Sequence, residues 1–127
     1  LLDLWGEVWY INSMAATGQC ISRGKMSRQE RECRSRLAQL VTQRGLMRGT
    51  LQVRMKLCGK PNCKCMRGQR HRSLYLVISE GGRFRQLFVP RDWESRVREW
   101  VVDYGRAKGL LEEVSRQYWK KVQDRER

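Results

Sequence analysis

Four features are scarce in this sequence. It has one histidine, no apolar run of membrane-spanning length, no recognisable secretion signal and, between residues 33 and 91, a single carboxylate. Each absence excludes a class of protein. Without about 18 consecutive apolar residues there is no membrane-spanning helix. The opening residues, Leu1-Leu-Asp-Leu-Trp-Gly-Glu, carry neither a basic stretch nor a clean apolar stretch. A signal peptide is therefore not expected, and reduced cysteines in a cytoplasmic setting are. The lone mid-chain carboxylate, Glu80, and the lone histidine, His71, leave no nucleophile–base pair and no carboxylate cluster, so an enzyme is not expected.

The scarce metal-binding residues are gathered in one place. Three of the five cysteines and the histidine stand in Cys58-Gly-Lys-Pro-Asn-Cys63-Lys-Cys65-Met-Arg-Gly-Gln-Arg-His71. The spacing C-x4-C-x-C-x5-H supplies the four ligands of a closed structural zinc site. Three thiolates and a neutral imidazole suit zinc better than iron. They leave a net charge of about minus one, which Lys56, Lys60, Lys64 and Arg67 are placed to offset. Pro61 and Asn62 fit the centre of a β-turn that would fold Cys63 and Cys65 back toward Cys58. Two other readings stay open: buried free thiols, and a disulfide framework, which the odd cysteine count disfavours. A catalytic zinc would need only three protein ligands and an open position.

Net charge is +14, and its location says more than its size. From Arg44 to Arg85 there are eleven Lys or Arg and one acid; from Arg91 to Arg127 there are ten basic and eight acidic residues. So one-sided a block repels itself and calls for a polyanionic partner, nucleic acid first. An anionic membrane fits less well, because the cations fall on predicted strands and a loop rather than on an amphipathic helix. A solvated basic face with no partner is the plain alternative.

The pattern along the chain gives an α+β domain over residues 26–127, preceded by residues 1–25 as a poorly ordered extension or a short docked helix. Ser27-Arg-Gln-Glu30 is a capping box, followed by Cys33, Leu37, Leu40 and Val41 at helical spacing, and Gly45 is expected to end the helix. Leu51, Val53, Met55 and Leu57 alternate with Gln52, Arg54 and Lys56, which predicts a strand running into the cysteine loop. Leu74 to Ile78 and Phe84 to Val89 form two more strands around the Gly81-Gly82 turn, completing a small three-stranded antiparallel sheet with a zinc-knuckle loop. Pro90 then leads into a long C-terminal helix from about Arg91 to Val122. Along it Trp93, Val97, Trp100, Tyr104, Ala107, Leu111, Val114 and Tyr118 are spaced alternately by four and three, widened by Val101, Leu110 and Trp119. The first half is expected to cover the sheet. The second half then calls for helix one, a second copy of the chain or a helical partner through residues 93–119.

Arg48-Gly49-Thr50-Leu51, Cys58-Gly59-Lys60-Pro61, Cys63, Cys65, Gly68, His71, Gly81-Gly82-Arg83 and Val89-Pro90 occur in an order that resembles a family of small bacterial and archaeal proteins. That family carries a domain of unknown function with the block C-G-K-P-x-C-x-C-x-x-G-x-x-H. The resemblance spans Arg48 to Val122. It departs after the last ligand, where members have His-Gly-Pro-Tyr and this chain has His71-Arg72-Ser73-Leu74. It implies a natural start at Met26 and an association with mobile genetic elements, which favours DNA.

The expectation is a zinc-stabilised nucleic-acid-binding module. Arg54, Lys56, Lys60, Lys64, Arg67, Arg70, Arg72, Arg83 and Arg85 would be its phosphate contacts, which position without specifying sequence. The Gly81-Gly82 hairpin has the form of a groove-entering β-ribbon. DNA is slightly favoured over RNA. A sheet that bound RNA would present stacking aromatics, and strand alternation is expected to send some of Tyr75, Phe84 and Phe88 into the core. The alternative is a protein-interaction module docking through the zinc knuckle and the long helix.

Overall fold

The computed structural model describes residues 20–56, 61–62, 68 and 71–125. Residues 1–19 of the expected extension lie outside the described residues. So do Cys58, Cys63 and Cys65 of the expected metal site, and Lys60, Lys64, Arg67 and Arg70 of the expected phosphate contacts.

The elements follow in the expected order: α1 (Arg28–Gln43), β1 (Thr50–Lys56), β2 (His71–Glu80), β3 (Arg83–Val89) and α2 (Glu94–Arg125). The sheet is antiparallel with β2 in the centre. Gly81 and Gly82 join β2 to β3 at φ 58° and 76°, both in the left-handed region, which is why a glycine pair stands there. After Pro90 the chain first makes a short 3-10 turn, Arg91–Trp93, so Asp92 lies in that turn and Glu94 opens the helix.

Ser27 caps α1 by accepting the Glu30 backbone N–H at 3.1 Å. The reciprocal half of the box is replaced: the Glu30 carboxylate is buried against α2. It accepts from the Tyr118 hydroxyl at 3.4 Å and pairs with Arg34 at 3.5 Å and Lys121 at 3.8 Å. Gly45 acts by its size rather than as a left-handed cap. The helix has already closed at Arg44, and a Cβ at Gly45 would come within 2.4 Å of the Trp100 indole nitrogen. Val41 is exposed, while Cys33, Leu37 and Leu40 are half-buried.

Strand parity decides where the core lies. Leu74 and Leu76 on β2 and Val89 on β3 point to one side and pack with Val97 of α2, supported by Met47, Leu51, Trp100 and Val101. Burial of each such side chain contributes about 1.5–3 kcal/mol. α2 crosses this face in its first two turns. Arg72 of β2 holds its start through two hydrogen bonds to Glu94, at 2.9 and 3.1 Å, and the Met47 N–H donates to the Trp100 carbonyl at 3.1 Å.

Beyond Val101, α2 leaves the sheet and α1 packs antiparallel along it. Arg44 at the end of α1 pairs with the buried Asp103 at 3.0 Å, and Gln29 near its start donates to Glu113 at 3.0 Å. Within this pair Ala107 and Val114 are buried, whereas Leu111, Trp119 and Val122 stay exposed. At 32 residues α2 is about 48 Å long, and α1 accompanies the stretch that the sheet cannot reach. Arg116 hydrogen-bonds Glu113, whose acceptor and charge raise the arginine further above its ordinary value. No described helix is long and apolar enough to cross a membrane.

Candidate nucleic-acid interface

The parity that sends Leu74, Leu76 and Val89 inward sends Tyr75, Phe84 and Phe88 outward. The expectation that some of these aromatics enter the core is corrected: Tyr75 sits between two inward leucines, and Val89 fixes the phase of β3. The outer face carries Gln52, Arg54 and Lys56 from β1, His71, Ser73, Tyr75 and Val77 from β2, and Phe84, Gln86 and Phe88 from β3. None of these is acidic.

The centre of this face is an ordered stack. The Tyr75 and Phe88 rings meet edge to face, with centroids 5.7 Å apart. The Arg54 guanidinium lies 4.4 Å over the Tyr75 ring, and the Lys56 ammonium lies 5.2 Å from it. Arg54 is fixed in this pose by donating to Gln86 at 2.7 Å and to Gln52 at 3.2 Å. Phe84 stands apart near the hairpin, opposite Ser79, and is 78% exposed; Phe88 is 53% exposed.

The expected phosphate contacts divide by face. Arg54 and Lys56 lie on the outer face and pair with no carboxylate among the described residues. Arg72, Arg83 and Arg85 belong by register to the opposite side. Arg72 is committed to Glu94, and Arg85 pairs with Glu80 at 3.0 Å. Charge counting alone could not separate cations spent on acids from those left for a ligand. It also passed over α1, where Arg28, Arg31 and Arg36 line a shallow groove with Arg23. Their near-helical spacing was the available signal.

In sequence the expected metal loop joins β1 to β2. Lys56 and His71 are partners across β1 and β2, so the pairing sets the two ends of the 57–70 segment side by side. Pro61 and Asn62 lie in a turn, as expected, and His71 is exposed at the base of the loop. Among the described residues no group of three or more His, Cys, Asp or Glu is arranged to hold a metal. Cys20 is an exposed free thiol and Cys33 a half-buried one.

Comparison with known families adds one finding. Residues 25–99 match the family described as a domain of unknown function, DUF6788. The chain belongs to this family. The match covers more than half of the chain, taking in α1, all three strands and the first turns of α2. It thus begins before Arg48 and ends before Val122, the limits of the expected resemblance. The family domain includes the outer sheet face and the 57–70 segment but stops short of most of the α1–α2 pairing on α2. No curated protein and no solved structure matches the chain.

Proposed function

We propose that the protein is a nucleic-acid-binding module. Its basic block would hold phosphates, and zinc on Cys58, Cys63, Cys65 and His71 would brace the loop beside them. The observation that carries this reading is the outer sheet face: Arg54 and Lys56 stand there with no carboxylate on the face to neutralise them. A cationic face without acids attracts a polyanion and repels itself otherwise. The donor set supports zinc, since thiolates and one imidazole are its ordinary ligands. The small core supports it as well: Met55, toward the loop end of the sheet, and Leu87 are about half exposed on the inner face. A staple at the Lys56–His71 end would stiffen the strands that present the cations. The reading assigns binding and no reaction.

A second reading has its own observation. Leu111, Trp119 and Val122 of α2 are exposed at 57%, 69% and 64%, which supports docking on a helical protein or a second copy.

Electrophoretic mobility shift of the full chain across a salt series separates the two. The nucleic-acid reading expects low-micromolar or tighter binding, with log affinity falling by about 0.9 for each phosphate contact per log unit of salt on duplex DNA. Replacing Lys60, Lys64 and Arg67 together should weaken binding to every sequence and flatten the slope. No binding at low salt hands the case to the protein-docking reading.

A further inference from the structure

We infer that the outer face of the sheet binds single-stranded nucleic acid, stacking bases on Phe88 and Phe84. The inference rests on the nucleic-acid reading above and names the form of the ligand. It begins from an energetic oddity. A buried phenylalanine contributes about 1.5–3 kcal/mol, yet both phenylalanines of the chain are on the solvent side of one strand. Strand propensity and cross-strand pairing account for part of this. Phe88 packs edge to face on Tyr75, and such a pair helps hold β2 to β3. Among the described residues Phe84 has no aromatic partner of this kind: its cross-strand neighbour is Ser79, and 78% of its surface meets water. Packing does not explain an aromatic ring left open at that position.

The surroundings indicate what would cover it. Phe84 and Phe88 lie four residues apart on the same face, about 13 Å along the strand, several times the 3.4 Å base step along a duplex strand. Each ring would therefore take its own base. The bases of a duplex are stacked on one another and cannot offer their faces; those of a single strand can. Arg54 and Lys56 flank the Tyr75–Phe88 pair, and the Arg54 plane over Tyr75 extends the stacking surface while its charge faces the backbone. Gln52, Ser73 and Gln86 supply amide and hydroxyl groups on the same face for base edges. The absence of acids there removes the usual repulsion of a phosphate chain. On this inference the groove-entering hairpin expected from the sequence gives way to a sheet face that takes an unpaired strand.

The test measures fluorescence anisotropy of labelled oligothymidine DNA, oligouridine RNA and a mixed-sequence DNA duplex with the full chain. Phe84→Ala combined with Phe88→Ala should weaken both single strands by about tenfold or more, leaving the salt slope unchanged. The duplex should bind the variant as it binds the parent. Phe84→Trp with Phe88 intact should keep parental binding, and its indole emission should fall more than that of the parent, which has five tryptophans, when the oligonucleotide is added. Whichever of the two single strands binds more tightly identifies the preferred nucleic acid. If the double variant keeps parental single-strand affinity while melting as the parent does, the stacking inference is wrong and the nucleic-acid reading stands. If the parent binds none of the three probes at low salt, the nucleic-acid reading itself falls.

Discussion

The two faces of one sheet differ in composition and in how far α2 covers them. On the inner face Leu74, Leu76 and Val89 meet Val97 and lose nearly all contact with water. On the outer face Tyr75, Phe84 and Phe88 alternate with them along the same strands; Phe84 and Phe88 stay in solvent, and Tyr75 is half-buried beneath Arg54 and Lys56. Both sets are apolar, so apolarity alone does not assign them. The inner set is aliphatic and shaped for packing on a helix. The outer set is aromatic and interleaved with cations.

The largest way to break this comparison is to loosen the end of the sheet that both faces share. If zinc is held by Cys58, Cys63, Cys65 and His71, it contributes on the order of 10–16 kcal/mol, as in small zinc peptides. Protein prepared without chelator should carry one zinc per chain by elemental analysis. Cys63→Ser should lose the metal and melt far below the parent; a metal-free parent, or a variant that melts unchanged, removes the zinc.

Substitutions on the two faces should then separate cleanly. Leu74→Ala on the inner face should cost about 2–5 kcal/mol, lowering the melting temperature by roughly 10 °C or more. Phe84→Ala on the outer face should change stability by no more than about 0.5 kcal/mol. Equal losses in thermal melts would mean that the outer face is structural.

Away from the sheet, Arg44→Ala should cost about 1.5–3 kcal/mol, because it leaves the buried Asp103 with Arg106 at 3.4 Å as its remaining cation. Chemical denaturation measures this, and a variant as stable as the parent would show that the pair does not fix the two helices. Smallest of all should be Leu111→Glu with Trp119→Glu, within about 0.5 kcal/mol because both side chains are exposed. If this stripe docks a second copy, sedimentation equilibrium of the parent at tens of micromolar should show association that the variant loses. A monomeric parent leaves the stripe to a different partner or to solvent.

Much of the fold was legible because its signals are local. Alternation in Leu51 to Lys56, the Gly81-Gly82 turn and the Ser27 cap each depend on a few neighbours, and each appears where expected. What was not legible depends on partners distant in sequence. Spacing by fours and threes along α2 looks the same whether α1 or a second copy packs there. Glu30 read as half of a capping box and Asp103 carried no signal, and it is the α1–α2 pairing that buries them. Arg72 read as a phosphate contact, whereas Glu94 at the start of α2 claims it. The phase of β3 was ambiguous because Phe84 and Phe88 on one side and Leu87 and Val89 on the other are equally apolar. Register with Leu74 and Leu76 resolved it. The cysteine block, the sharpest signal in the sequence, has its three thiols outside the described residues.

The most direct test of the account is the salt dependence of oligonucleotide binding by the full chain and by Arg54→Ala combined with Lys56→Ala. Loss of two phosphate contacts should weaken binding and reduce the slope of log affinity against log salt by about 1.4 on single strands, with melting close to that of the parent. An unchanged affinity and slope in a folded variant would contradict the claim that the outer sheet face is the nucleic-acid interface.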